Sequence, residues 1–208
     1  MSVNLHILRA SGRLEKFETI IKKAFEAGIA DVQNKFSLPV LDVVVVDDAD
    51  SAIPETGVGG SAPNAHLLYI YINPTFNNLE AVLDFEIRST LAHELHHCAR
   101  WASVGYGSTL LEAIVSEGLA DHFDIEVNSG APKPWSIAMS ESELQSMMLK
   151  AEQEFNSDYN HSDWFYGSKE IPRWTGYSLG FKIVSDYINK TGKSASQLVS
   201  TSHTEFIK

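Results

Sequence analysis

A single cysteine, Cys98, serves the whole 208-residue chain, and that excludes an internal disulfide. There is no apolar run of about eighteen residues, so no segment reads as a membrane span. Residues 1–13 lack the basic start and apolar centre of a secretory leader. These absences together predict a cytoplasmic protein with no membrane partner. Positive charge is scarce as well: 16 Lys and Arg stand against 27 Asp and Glu, for a net charge of −11. Phosphate binding needs clustered cations, so a nucleic-acid partner is excluded. Internal repeats, low-complexity tracts and long linkers are also missing.

What is present suits a packed core. The apolar fraction is 44%. The length predicts one domain over residues 1–208, built from an N-terminal lobe of about 1–104 and a C-terminal lobe of about 105–208.

Periodicity supplies the elements. Residues 3–8 alternate like a short strand, and 14–36 repeat at helical spacing through Phe17, Ile21, Ala24 and Val32. The β-branched run 40–46 predicts a buried strand. Residues 47–64, rich in Gly, Pro and Ser, read as a loop, and 67–72 as a second strand with strict alternation. Helices are predicted over 79–104, 108–127, 141–155 and 178–189, with an aromatic irregular stretch at 159–176 and a short helical end at 194–206.

Chemistry concentrates in two of these helices. The first carries His93-Glu94-Leu95-His96-His97, an H-E-x-x-H motif. On a helix His93 and His97 lie one turn apart on one face, where two neutral imidazoles can share a tetrahedral ion. Glu94 sits 100° round the helix, placed to act on an attacking water rather than to ligate. The second helix carries Glu117-Gly118-Leu119-Ala120-Asp121. Glu117 is the candidate third ligand. Asp121, four residues on, is spaced to accept the other ring N–H of His93, since metal-bound histidines usually donate that proton to a carboxylate or carbonyl. The nitrogen-rich donor set favours one Zn²⁺ over magnesium or calcium. Iron competes on ligand type, but a carboxylate beside the ligand favours hydrolysis. Gly118 costs helix stability of about 1 kcal/mol relative to Ala and is explained if the two motif helices pack closely there. His96, 100° from His97, is expected to support the site or lie at the surface rather than ligate. Cys98 falls on the apolar stripe and reads as buried and unreactive.

His93, Glu94, His97, Glu117 and Asp121 resemble the two active-site helices of the gluzincin metalloproteases, including the interval from His97 to Glu117. The run from Leu91 to Asp121, together with Trp174 and Tyr177-Ser178-Leu179-Gly180, resembles a bacterial family of unknown function known as predicted zinc-dependent proteases. The resemblance implies an α+β, zincin-like fold: an N-terminal mixed sheet plus helix over the H-E-x-x-H helix, with a mostly helical C-terminal lobe that carries Glu117. It also implies that the strand before the motif helix is a sheet edge holding a peptide, here through Leu67, Leu68, Tyr69 and Ile70. A donor for the oxyanion is expected from outside the motif helices. Tyr177 is chosen, ahead of His161, Tyr166, Arg173 and Tyr106.

The expected function is zinc-dependent hydrolysis of peptide bonds in a peptide or protein substrate, with Glu94 as general base. Two alternatives stay open. One is a metal-bearing or inactive module of this fold that binds a peptide or protein partner. The other is a metallohydrolase acting on non-peptide substrates.

Overall fold

The computed structural model describes residues 3–208, in two compact units that divide between Ala102 and Ser103. The first unit is a four-stranded sheet with two helices. Its strands are β1 (Val3–Ile7), β2 (Leu41–Asp47), β3 (Val58–Asn64) and β4 (Leu67–Ile72), and its helices are α1 (Glu18–Gln33) and α2 (Leu79–Trp101). The sheet order is β1-β2-β4-β3, with β1 and β4 parallel to β2 and β3 antiparallel to β4. The region read as one helix over 14–36 divides into a single 3₁₀ turn, Glu15–Phe17, and α1.

Alternation along β2 and β4 builds the core. Val43, Val45, Leu68, Ile70 and Ile72 are fully buried on one face. Leu83, Ile87, Leu91 and Leu95 of α2 are fully buried too, a stripe at spacings of three and four residues. α2 packs on α1 and against β3 and β4.

The sheet departs from expectation at one strand, with a consequence for function. Residues 47–64, read as a loop, contain β3. Gly59, Gly60 and Pro63 give it poor intrinsic strand propensity. Pairing with β4 overrides that, from Val58 opposite Ile72 to Ser61 opposite Tyr69, and Ser61 Oγ meets Tyr71 Oη at 2.9 Å. β4 is therefore internal. Leu67, Tyr69 and Ile70 pair with β2 on one side and β3 on the other, and Leu68 pairs with β2 and faces the irregular stretch of β3 between Ser61 and Asn64, so β4 offers a peptide no free edge. The edge beside α2 is β3.

The second unit is helical: α3 (Leu110–Asn128), α4 (Glu141–Glu154), α5 (Thr175–Thr191), a π turn at Ser162–Tyr166 and two C-terminal 3₁₀ turns. α3 starts at a capping box, in which the Thr109 side chain accepts from Glu112 N–H and Glu112 returns to the Thr109 backbone. It is buried along nearly its whole length, as a central helix must be. Its close partner at Gly118 is α5, not the other motif helix: a Cβ on Gly118 would stand 2.2 Å from Gly180 O, and one on Gly180 would stand 2.2 Å from Ile114 O. Two glycines thus let the backbones of α3 and α5 touch. Among the described residues no helix is long and apolar enough to cross a membrane.

Candidate metal centre

α2 presents its two motif histidines as the helical repeat requires. The rings of His93 and His97 lie 4.8 Å apart between centroids, and their Nε2 atoms approach to 3.1 Å. Two nitrogens each about 2.0–2.1 Å from one tetrahedral ion stand about 3.3 Å apart, so this spacing fits a shared zinc. One ligand atom from each of His93, His97 and Glu117 lies within 4.8 Å of the others. Two imidazole nitrogens and one carboxylate oxygen form a set that suits zinc and leaves a coordination position open. His97 and Glu117 are buried, and His93 is half-buried.

Glu94 is buried at 7% exposure, and β3 passes directly over it. A Cβ on Gly60 would fall 2.6 Å from Glu94 Cγ and 2.9 Å from its Oε1. Only glycine lets the strand approach the carboxylate this closely. Gly60 is therefore part of the site, and the Gly59-Gly60 pair, read as a loop signal, was the trace it left in the sequence. His96 is fully buried and packs edge-on against Phe36 at 6.2 Å, so its placement at the surface is excluded. Cys98 is buried as expected, and burial followed by the charge of Glu94 pushes its thiol up to about 12.

In the second unit, Tyr106 Oη donates to Glu117 Oε1 at 2.5 Å. Burial, then the Glu117 charge, raises the Tyr106 hydroxyl well above the usual phenol range, so it stays a donor. Tyr159 and Tyr177 also act electrostatically on Tyr106, and burial followed by the Glu117 charge pushes the Tyr159 hydroxyl up to about 12. Periodicity could not single out Tyr106, because it lies on the glycine-flanked turn before α3. Gly107, at φ 108°, sits against the Glu112 side chain there.

Asp121 accepts from Ser136 Oγ at 2.6 Å and from Trp135 Nε1 at 3.3 Å. The Trp135 ring in turn lies 6.4 Å from Tyr177. Tyr177 is half-buried in the first turn of α5 and packs edge-on against Phe165 at 4.9 Å. His161 stacks on Phe165 at 4.4 Å, with its Nδ1 3.4 Å from Tyr159 Oη. Tyr166 is 60% exposed, and Arg173 covers the Trp174 ring at 4.0 Å.

Neither a curated protein nor a solved structure matches the chain. A family model does match, over residues 17–208, and it takes in the paired histidines, Glu94, Glu117 and the α5 segment alike. The chain belongs to that family, described as Predicted Zn-dependent protease (DUF2268).

Proposed function

We propose that this protein is a zinc-dependent peptidase with a zincin-like active site, in which Glu94 is the general base. The observation that carries the reading is the convergence of His93, His97 and Glu117 ligand atoms within 4.8 Å, with Glu94 next in sequence to a ligand. His93 Nε2, His97 Nε2 and the Glu117 carboxylate would hold the ion. When bound, zinc supplies Lewis acidity, which lowers the pKa of a water to about 7 and polarises a carbonyl.

The chain's own groups do the rest. The Glu94 carboxylate takes a proton from the attacking water and delivers it to the leaving amine nitrogen. Its burial beneath Gly60 keeps it from drifting into solvent. Tyr106 holds Glu117 in one orientation. Asp121 is the proposed acceptor for the second ring nitrogen of His93, itself steadied by Ser136 and Trp135. Tyr177 is the proposed oxyanion donor, braced by Trp135 and Phe165. The peptide-holding role proposed for the sheet passes from β4 to the edge strand β3, whose face at Gly60 lies against Glu94.

Glu94→Gln tests the chemistry separately from the metal. The variant should bind zinc like the wild type, measured by elemental analysis of dialysed protein, and should lose nearly all hydrolysis of a casein substrate. Undiminished turnover would remove Glu94 as the base. Absence of zinc from the wild type, or turnover that survives complete chelation, would remove the metallopeptidase reading.

A further inference from the structure

β3 is an edge strand, yet little of its edge is open. Asn73 donates to Gly57 O at 2.9 Å, which makes that pair a hydrogen-bonded one. Such pairs alternate along antiparallel strands. Gly59 opposite Tyr71 and Ser61 opposite Tyr69 therefore direct their main-chain groups to β4, while Val58 and Gly60 direct theirs to the outer edge. Val58 is already capped: Thr56 Oγ1 donates to Val58 O at 2.8 Å and accepts from Val58 N–H at 3.4 Å. Farther along, Trp101 Nε1 donates to Ala62 O at 2.8 Å, and Pro63 has no N–H. Between the caps stands Gly60, half-buried, with neither main-chain group capped among the described residues. It is also the residue pressed against Glu94.

Resting on the peptidase reading above, we propose that β3 grips a substrate peptide at one residue only, through Gly60 N–H and C=O, and that Thr56 and Trp101 set this limit. One residue facing Gly60 can form an antiparallel bridge of two hydrogen bonds. The next residue able to pair would lie two positions along, where the caps stand. The site therefore takes short extended segments and gains nothing from a longer strand. Ordinary edge-strand recognition instead adds hydrogen bonds with every second residue. Thr56 and Trp101 are thus specificity-determining residues that never touch the reacting atoms.

Amide exchange by NMR tests this on full-length, zinc-loaded Glu94→Gln protein. The probe is a random-sequence library of N-acetylated, C-amidated octapeptides. Without peptide, Gly60 N–H should exchange fast, and the N–H groups of Gly59 and Ser61 slowly. With peptide, Gly60 should become protected and Val58 should not change. Thr56→Val should then extend protection to Val58 and tighten octapeptide binding by about 2- to 10-fold, the scale of one net hydrogen bond. Tripeptide binding should stay unchanged. Trp101→Phe, by freeing Ala62 O, should also favour longer peptides. Protection spreading along the edge in the parent protein, with both caps in place, or no length dependence in Thr56→Val, overturns the proposal. If amides around Glu94 respond but Gly60 does not, the proposal falls and the peptidase reading stands. If no amide responds to the library, both fall.

Discussion

Glu117 is the residue under the most constraint. Its carboxylate is proposed to ligate, and a carboxylate that swings freely is a poor ligand. Tyr106 removes that freedom through a 2.5 Å hydrogen bond, and it can do so at any ordinary pH because burial keeps its phenol protonated. Tyr106→Phe deletes one hydroxyl and keeps the ring. It should weaken zinc binding or activity by about 10–100-fold, the range for losing a partner of a ligand. Competition against a chromophoric chelator measures the affinity, and circular dichroism should show an unchanged fold. A variant with wild-type zinc affinity and wild-type turnover would make the bond incidental. The candidate ligands His93 and His97 were legible in the sequence because helical spacing puts them on one face of α2. Tyr106 was read only as one of several oxyanion candidates; its bond to Glu117 was not legible, because it lies on a turn between two glycines where no periodicity ties the two residues together.

The contact of α3 with α5 depends on Gly118 and Gly180. Gly118→Ala would put a methyl 2.2 Å from the Gly180 carbonyl oxygen, a backbone atom that can move only if α5 moves. Overpacking of this kind costs about 1–3 kcal/mol, which a urea titration should read as a lower midpoint. Stability equal to wild type would mean that the two helices are less tightly coupled than their geometry indicates. His122 marks the same contact: its ring stacks on Phe181 at 4.1 Å and its Nε2–H donates to Phe181 O at 3.0 Å. Burial lowers its pKa below the usual histidine value. The unfolded chain thus takes up a proton first as pH falls, so the stability contributed by neutral His122 is full above about pH 6.5 and is lost as pH drops through the depressed folded value. The loss of stability between about pH 7 and 5 should be smaller in His122→Asn than in wild type; equal slopes would assign the pH effect elsewhere. Element by element, legibility followed the strength of the local pattern. Residues 67–72 were read to the residue because their alternation is unbroken. β3 was missed because two glycines and a proline say loop, and only its pairing with β4 makes it a strand. That one omission also put the sheet edge on the wrong strand, since edge or centre is a property of neighbours and not of a segment.

At the scale of the whole molecule, the proposed ligands come from two helices separated in sequence by the 102–109 segment, with His93 and His97 on α2 and Glu117 on α3. An ion bound by all three binds the folded chain and not the unfolded one, in which the residues are not assembled. Binding therefore adds to stability by mass action. At free zinc about 100 times the dissociation constant the gain is about 2.7 kcal/mol. For a chain of this size that raises the midpoint of thermal unfolding by about 5–11 °C. The acidic surface makes a control necessary, because a chain of net charge −11 attracts any divalent cation. Diffuse attraction should appear equally with Mg²⁺ and Ca²⁺ and should fade as salt is raised. The site proposed here predicts the opposite: a rise with zinc, little with Mg²⁺ or Ca²⁺, and persistence at high ionic strength, read by differential scanning calorimetry. His97→Ala and Glu117→Ala should each abolish most of the zinc-dependent rise, while Glu94→Gln should keep it. A rise of the same size with every divalent ion would assign it to surface charge. Loss of the rise in His97→Ala but not in Glu117→Ala would leave α2 as the metal helix and remove Glu117 from the ligand set.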